Sequence, residues 1–120
     1  MSISLRPFTV SIDQSALDDL QARLALTRLP EKETVDDWDQ GLPLAYAKEL
    51  LDYWRSSYDW RRCEAALNRW PHFKTEIDGL DIHFIHIKSS CADARPMIMT
   101  HGWPGSVLEF ANVIEALTEP

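Results

Sequence analysis

The stretch MTHGWPGS, residues 99–106, is where an apolar run ends in glycine, proline and a large aromatic side chain. Residues 97–99, which lead into it, have the composition of a buried strand. Ser106 and Glu109 have the Ser-x-x-Glu spacing of a helix N-terminal capping box. Apolar side chains then recur at helical spacing, at Val107, Phe110, Ile114 and Leu117. These residues predict a strand, a tight turn and a helix.

A loop after a strand of an α/β sheet is a common place for chemistry. In α/β-hydrolases the loop after the third strand supplies one backbone N–H of the oxyanion hole. Gly102 would let the backbone approach a substrate, and Pro104 restricts the backbone of Trp103. The Trp103 N–H is therefore the predicted donor, and His101 is predicted to shape the turn through hydrogen bonding. Taken alone, the motif is also compatible with a tight turn in any other α/β fold.

Upstream of this loop the sequence predicts a β-hairpin. Apolar and polar residues alternate over residues 72–77 and 80–87, on either side of Asp78-Gly79. Asp-Gly is a favoured two-residue turn, because both central positions need a positive φ. We expect two antiparallel strands here, followed by residues 97–99 as a third, parallel strand that is apolar on both faces.

Three helices are predicted before the hairpin. The first follows Asp13, whose carboxylate suits an N-cap, and stops before Pro30. The second opens at Pro43, since proline is favoured in a first helical turn. The third follows Asp59 and ends before Pro71. These helices and the acidic connection between the first two carry four tryptophans, which we expect to pack against other parts of the protein.

Composition excludes several function classes. The chain has 120 residues and a formal net charge of −7, which disfavours nucleic acid as a partner. No run approaches the roughly 18 apolar residues of a membrane span, and the N-terminus lacks the apolar core of a signal peptide. Cys63 and Cys91 lack a metal-binding spacing and are expected to be unpaired thiols. We therefore expect a cytoplasmic protein.

The remaining polar residues do not predict a second site. His83 and His86 are three apart on a strand, so their side chains point to opposite faces. The acidic residues 36–39 lack the ligand spacing of a calcium loop. No serine or cysteine lies in a Gly-x-Ser-x-Gly turn. We therefore expect no metal site at these residues, and we assign no nucleophile to this chain.

An ordered series of motifs nevertheless resembles the N-terminal part of epoxide hydrolases of the microsomal and juvenile-hormone type. The resemblance covers nearly the whole chain. It is carried by PF at 7–8, LTRLP at 26–30, YW at 53–54, DWR at 59–61, LNRWPHF at 67–73, IDGLDIHF at 77–84 and HGWPGS at 101–106.

The resemblance implies a particular chemistry, with no metal and no organic cofactor. An Asp carboxylate attacks an epoxide carbon and forms an ester, which a water activated by a His–Asp/Glu pair then hydrolyses, while two lid tyrosines polarise the epoxide oxygen. The Trp103 N–H would stabilise the oxyanion of ester hydrolysis, and the Trp103–Pro104 bond is expected to be cis. In the family the nucleophile, lid and catalytic histidine lie beyond the region that this chain matches.

The predicted fold is a partial α/β fold. Three N-terminal helices wrap the first strands of an α/β-hydrolase sheet, in which a hairpin and one parallel strand precede a helix. Residues 1–71 are the helical wrapping segment, and residues 72–120 are the start of an incomplete core.

Two functions of different classes are consistent with this fold. The first is the N-terminal part of an epoxide hydrolase, inactive by itself, whose substrate is a small-molecule epoxide. The alternative is a non-catalytic helical module that binds a partner or forms a homodimer through an open sheet edge, because unpaired edges invite pairing.

Overall fold

The computed structural model of the protein describes residues 4–119. Residues 1–3 of the predicted helical segment and residue 120 of the predicted core segment lie outside the described residues. In chain order the elements are β1 (Arg6–Phe8), α1 (Gln14–Ala25), α2 (Leu44–Ser56), α3 (Trp60–Leu67), β2 (His72–Ile77), β3 (Leu80–Ile85), a 3-10 helix (Val107–Phe110) and α4 (Ile114–Thr118).

The chain divides into two compact units. One contains residues 1–10 and 63–120, and the other contains residues 11–62. The first unit includes the sheet, and the second includes α1 and α2. The predicted boundary between the wrapping segment and the start of the core, at 71/72, stays a prediction.

The predicted hairpin is confirmed. β2 and β3 pair antiparallel from His72 opposite Ile85 to Ile77 opposite Leu80. The two turn residues have positive φ angles, 52° at Asp78 and 81° at Gly79, as the turn type requires. β3 ends at Ile85, two residues before the predicted end at residue 87.

The third strand is not the one that the sequence predicts. The N-terminal arm supplies it: β1 pairs antiparallel with β2, so the sheet order is β1-β2-β3 and every pair is antiparallel. The prediction of a parallel strand at residues 97–99 is wrong for the described structure. A strand exists only as part of a hydrogen-bonded ladder, and within residues 4–119 no backbone hydrogen bond reaches this segment.

Each long helix begins where the sequence predicts. Asp13 is the N-cap residue of α1, although its side chain makes no capping hydrogen bond. Asp59 caps α3 with its carboxylate, which accepts from the Arg61 N–H at 2.9 Å. At α2 the carboxylate of Glu33 accepts from the Leu44 N–H at 2.8 Å. This hydrogen bond lowers the pKa of the Glu33 carboxyl.

The C-terminal helix is shorter and more irregular than predicted. The predicted helix over residues 107–117 is a 3-10 helix, a turn and the five-residue α4. Its apolar residues, such as Phe110 and Leu117, are half-buried or exposed. Because helices depend mainly on packing of an apolar face, a face with little to pack on does not hold a long regular helix.

The buried core is small. Leu67 is the only hydrophobic residue buried among residues 4–119. The chain exposes 10152 Å² of accessible surface, whereas a self-contained protein of 13.8 kDa exposes about 6,600 Å². The excess includes large apolar side chains, among them Ile98, which is 94% exposed.

A histidine pair occupies the small core beside Leu67. His72 is 3% exposed, and its Nε2 lies 2.8 Å from the Leu67 carbonyl oxygen. A carbonyl oxygen only accepts, so His72 Nε2 carries a proton. With His72 neutral, its Nδ1 is then the acceptor for His83 Nε2–H at 2.9 Å. Burial lowers the pKa of His83, and repulsion from His72 in its protonated form and from Lys74 acts in the same direction.

No helix among residues 4–119 is long and apolar enough to cross a membrane. The cytoplasmic location expected from the sequence stays a prediction.

The lowered pKa of His83 predicts that the fold loses stability in acid. The unfolded chain binds the proton more readily, so unfolding becomes easier as the pH falls below about 6.5, with a slope below about 1.4 kcal/mol per pH unit for one proton. Urea unfolding at pH 7.5 and 5.5 measures this loss. His83→Gln keeps a donor toward His72 and should flatten the slope, whereas His86→Gln, at an exposed position, should not. Equal slopes for the wild type and His83→Gln would contradict the prediction.

Candidate functional site

The loop at residues 99–106 is exposed, with Trp103 97% accessible. The Trp103–Pro104 peptide bond is cis, as the resemblance implies. No hydrogen bond from the Trp103 N–H to any of residues 4–119 is formed. The loop therefore presents one backbone donor whose partner is not supplied by the described chain.

The side chain of His101 turns back onto its own loop. Its Nδ1 lies 3.0 Å from the carbonyl oxygen of Gly102. Since a carbonyl oxygen only accepts, Nδ1 is the donor. His101 therefore makes a hydrogen bond within its own loop, to the peptide unit between Gly102 and Trp103.

Close packing in the loop requires a glycine at Gly105, a position for which the sequence predicts no separate role. A Cβ on Gly105 would lie 2.7 Å from the Gly102 carbonyl oxygen, and it would also overlap the Glu109 carboxylate. A Cβ on Gly102 would meet nothing within 4 Å. A side chain at position 102 would thus have room, whereas Gly105 is required by the fold of the loop itself. The role of Gly102 in substrate approach stays a prediction.

Only one of the two hydrogen bonds of a capping box forms at the start of the 3-10 helix that follows the loop. The Ser106 hydroxyl accepts from the Leu108 N–H at 3.3 Å. Within the described chain, the Glu109 side chain makes no return hydrogen bond to Ser106, and its carboxylate instead lies against Gly105. The Ser-x-x-Glu pattern thus correctly predicts the start of the 3-10 helix, and its glutamate side chain packs against the loop.

A groove of about 440 Å³ runs beside the loop. It is lined by β3 on one side and by residues 97–101 on the other, with the C-terminal helical turns forming the rest. His83 and His101 are the titratable side chains in this lining, which contains no carboxylate or thiol. The described site therefore offers a backbone donor and an apolar wall, and no nucleophile.

Residues 11–62 contain a larger apolar cavity of about 800 Å³. Its lining is largely aromatic and aliphatic, including Leu17, Leu20, Leu50, Tyr53, Trp54 and Trp60. The Trp60 Nε1 is buried and has no hydrogen-bond partner among the described residues. The rest of the lining includes the polar side chains of Gln14, Asp18, Gln21, Asp59 and Arg61. Packing of the tryptophans is only partly achieved within this unit.

The other residues weighed in the sequence do not assemble a second site. Among residues 4–119 no group of three or more His, Cys, Asp or Glu side chains could hold a metal ion. Cys63 and Cys91 are free thiols, as expected. His83 belongs to the histidine pair of the core, and His86 makes an edge contact with Phe73 at 6.2 Å.

Comparisons with known proteins agree on one family. The family model for the epoxide hydrolase N terminus matches residues 5–110. A Stigmatella aurantiaca protein assigned as an epoxide hydrolase is 55% identical over 116 residues, which are 97% of this chain and 26% of that protein. Juvenile hormone epoxide hydrolase 2 of Ctenocephalides felis is 46% identical over 98% of this chain and 26% of its own length.

A solved structure extends the likeness to three dimensions. The epoxide hydrolase of Aspergillus niger superposes with a TM-score of 0.87 at 39% identity, over 94% of this chain and 30% of that one. The chain therefore spans about a quarter of the length of the curated relatives that it matches.

Gly105 provides a test of the loop geometry. Gly105→Ala should displace the Gly102 carbonyl and the Glu109 side chain and cost about 1–3 kcal/mol locally, as overpacking does. Chemical shifts and amide exchange over residues 99–110 would report it. Gly102→Ala, which adds a methyl group to open space, is the matched control and should change little. Equal perturbation by both variants would show that the close approach at Gly105 is not formed.

Proposed function

This chain belongs to the epoxide hydrolase family, matching its N-terminal region, and from that premise we propose that it serves the hydrolysis of epoxides to vicinal diols. The contribution of its own residues is one donor of the oxyanion hole, the Trp103 N–H. His101, Gly102 and Pro104 shape the loop that presents this donor. The substrate is a small-molecule epoxide, and no metal or organic cofactor takes part.

The proposed reaction has two steps. An Asp carboxylate first attacks an epoxide carbon, so that the C–O bond breaks and tyrosine hydroxyls protonate the departing alkoxide. Water then attacks the carbonyl of the resulting ester and gives its proton to the histidine of a His–Asp/Glu pair. The ester C–O bond breaks, the histidine returns the proton to the leaving oxygen, and the diol departs from the regenerated Asp carboxylate. The negative charge that develops on that carbonyl oxygen is where a fixed N–H donor acts. No residue of this chain is assigned to the nucleophile, acid or base.

One observation carries the proposal. The Trp103 N–H is a backbone donor that no described residue satisfies, on a loop whose side chains and backbone are closely fitted around the neighbouring peptide. Trp103 is 97% exposed, so its N–H is open to an acceptor from outside the described residues. A pre-oriented donor beside an apolar groove is what stabilisation of an oxyanion requires.

The exposed apolar surface supports the proposal that this chain forms part of a larger domain. β3 and residues 97–99 face the same groove, and neither is paired to the other. The accessible surface exceeds that of a self-contained protein of the same mass by roughly half. We propose that further strands of an α/β-hydrolase sheet attach at this groove and that residues 97–99 become a strand when they do.

The proposed function is tested in a chimera in which residues 1–120 replace the matched segment of the Aspergillus niger enzyme. The chimera should hydrolyse a styrene-oxide-type epoxide, whereas the 120-residue chain alone should not. Replacing Trp103 by its α-hydroxy analogue turns the N–H into an ester oxygen. Removal of one oxyanion donor should slow hydrolysis of the ester intermediate by about 10²–10³-fold.

The same α-hydroxy analogue at Trp38 is the matched control. Trp38 is exposed, lies outside the loop, and its N–H has no hydrogen-bond partner among the described residues. The chimera with the analogue at Trp38 should turn over substrate as fast as the unmodified chimera. Turnover by the 120-residue chain, or full activity with the Trp103 analogue, would refute the proposed role.

A second candidate function, self-association, is favoured by the exposed apolar segment at residues 97–99. Met97 and Ile98 are 61% and 94% exposed, and the segment has no ladder partner among the described residues. A second copy of the chain could pair along it, because an unpaired apolar edge is a template for another strand.

Light scattering tests this candidate. The 120-residue chain should have the molar mass of a dimer at micromolar concentration, and Ile98→Lys should convert it to a monomer because a charge blocks edge pairing. Arg95→Lys, at an exposed neighbouring position, keeps the charge and should leave the dimer intact. A monomeric wild type would remove this candidate and leave the enzymatic proposal untouched.

A further inference from the structure

We propose that His101 is a positioning residue that aims the oxyanion donor: its Nδ1–H holds the carbonyl oxygen of Gly102 and thereby fixes the direction of the Trp103 N–H. The inference rests on the proposed function of that N–H. It assigns the imidazole no contact with the reacting atoms, and it predicts which ring nitrogen carries the proton.

The geometry of one peptide unit provides the link. The carbonyl of Gly102 and the N–H of Trp103 belong to the same planar group, which is trans. In a trans peptide the oxygen and the hydrogen point in opposite directions. His101 Nδ1 lies 3.0 Å from that oxygen. Whatever fixes the oxygen on one side of the loop therefore fixes the N–H on the other.

The peptide unit needs such a restraint. Gly102 has no Cβ, so its backbone can reach conformations that other residues avoid. Rotation of the peptide about its flanking bonds would change the direction of the Trp103 N–H. The bond from His101 would break in that rotation, so it opposes the loss of the donor direction.

A second contact restricts the position of the Gly102 carbonyl oxygen. The position that a Cβ on Gly105 would occupy is 2.7 Å from the Gly102 carbonyl oxygen. The oxygen is thus enclosed by the imidazole and by the bare α-carbon of Gly105. Two constraints from different residues act on one carbonyl, while the Trp103 N–H is left without a partner among the described residues.

The hydrogen bond also affects the strength of the donor. A donor to a peptide carbonyl polarises the whole amide group, which makes its N–H a better donor to the next acceptor. His101 therefore acts on the direction and on the polarity of the Trp103 N–H. Because the imidazole is exposed, this effect does not depend on burial of the ring in a core.

Three substitutions of His101 in the chimera separate this inference from a general structural role. The amide nitrogen of asparagine takes the position of Nδ1, and that of glutamine takes the position of Nε2. His101→Asn should hydrolyse the ester intermediate within about threefold of the parent, whereas His101→Gln and His101→Ala should be slower by about tenfold or more, the effect of one lost hydrogen bond.

Single-turnover kinetics supply the discriminating readout. The oxyanion forms only when water attacks the ester, so formation of the ester should keep its rate in all three variants while its hydrolysis slows in two. The ester intermediate would then accumulate in His101→Gln and His101→Ala. Equal slowing of both steps, or rescue by glutamine as complete as by asparagine, would overturn the inference.

The analogue at Trp103 keeps the two proposals distinguishable. A large loss with that analogue, combined with an unaffected His101→Ala, would leave the Trp103 donor in place and refute the positioning role. No loss with the analogue would refute the donor itself.

A measurement on the 120-residue chain tests the geometry without catalysis. Long-range ¹H–¹⁵N spectra at pH 8 should show the neutral His101 ring protonated at Nδ1. His101→Ala should shift the Trp103 amide resonance, and His101→Asn should restore most of that shift where His101→Gln does not. A ring protonated at Nε2 would overturn the inference even if the chimera did not fold.

Discussion

The shortage of buried apolar surface governs this structure. Leu67 is the only hydrophobic residue that residues 4–119 bury, and the core around it is completed by a hydrogen-bonded histidine pair. Hydrophobic burial is the main favourable term in folding, so its absence leaves elements short or irregular where they have nothing to pack on. The C-terminal helix is broken into pieces for this reason. The apolar segment at residues 97–99 is likewise left without a ladder.

The part of the sheet that does form shows what this chain can provide by itself. The hairpin is fixed by a turn whose two residues have the positive φ angles that it needs, and by side-chain alternation over both strands. The arm at Arg6–Phe8 closes one edge of β2. Asn68 supports that arm, since its side chain accepts from the Val10 N–H at 2.9 Å and donates to the Val10 carbonyl at 2.7 Å. These contacts are hydrogen bonds and not apolar packing, so they do not need a large core.

The loop at residues 99–106 is held by contacts between residues that are close in sequence. His101 and Gly105 lie against the peptide unit that precedes Trp103, Glu109 lies against Gly105, and Ser106 holds the following turn. Hence the loop can hold its shape in a chain with little hydrophobic interior. The chain is similar to epoxide hydrolases over nearly its whole length, and over about a quarter of theirs.

The sequence by itself determined the starts of the three long helices, the hairpin and the family, because caps, turn residues and periodicity act over a few residues. Only the tertiary structure decided that the arm, and not residues 97–99, is the third strand, since pairing depends on a partner distant in the chain. It also decided that Gly105 is the close-packed glycine and that His72 lies buried against His83. A sequence pattern shows which residues can form an element, and contacts between distant residues decide whether it forms.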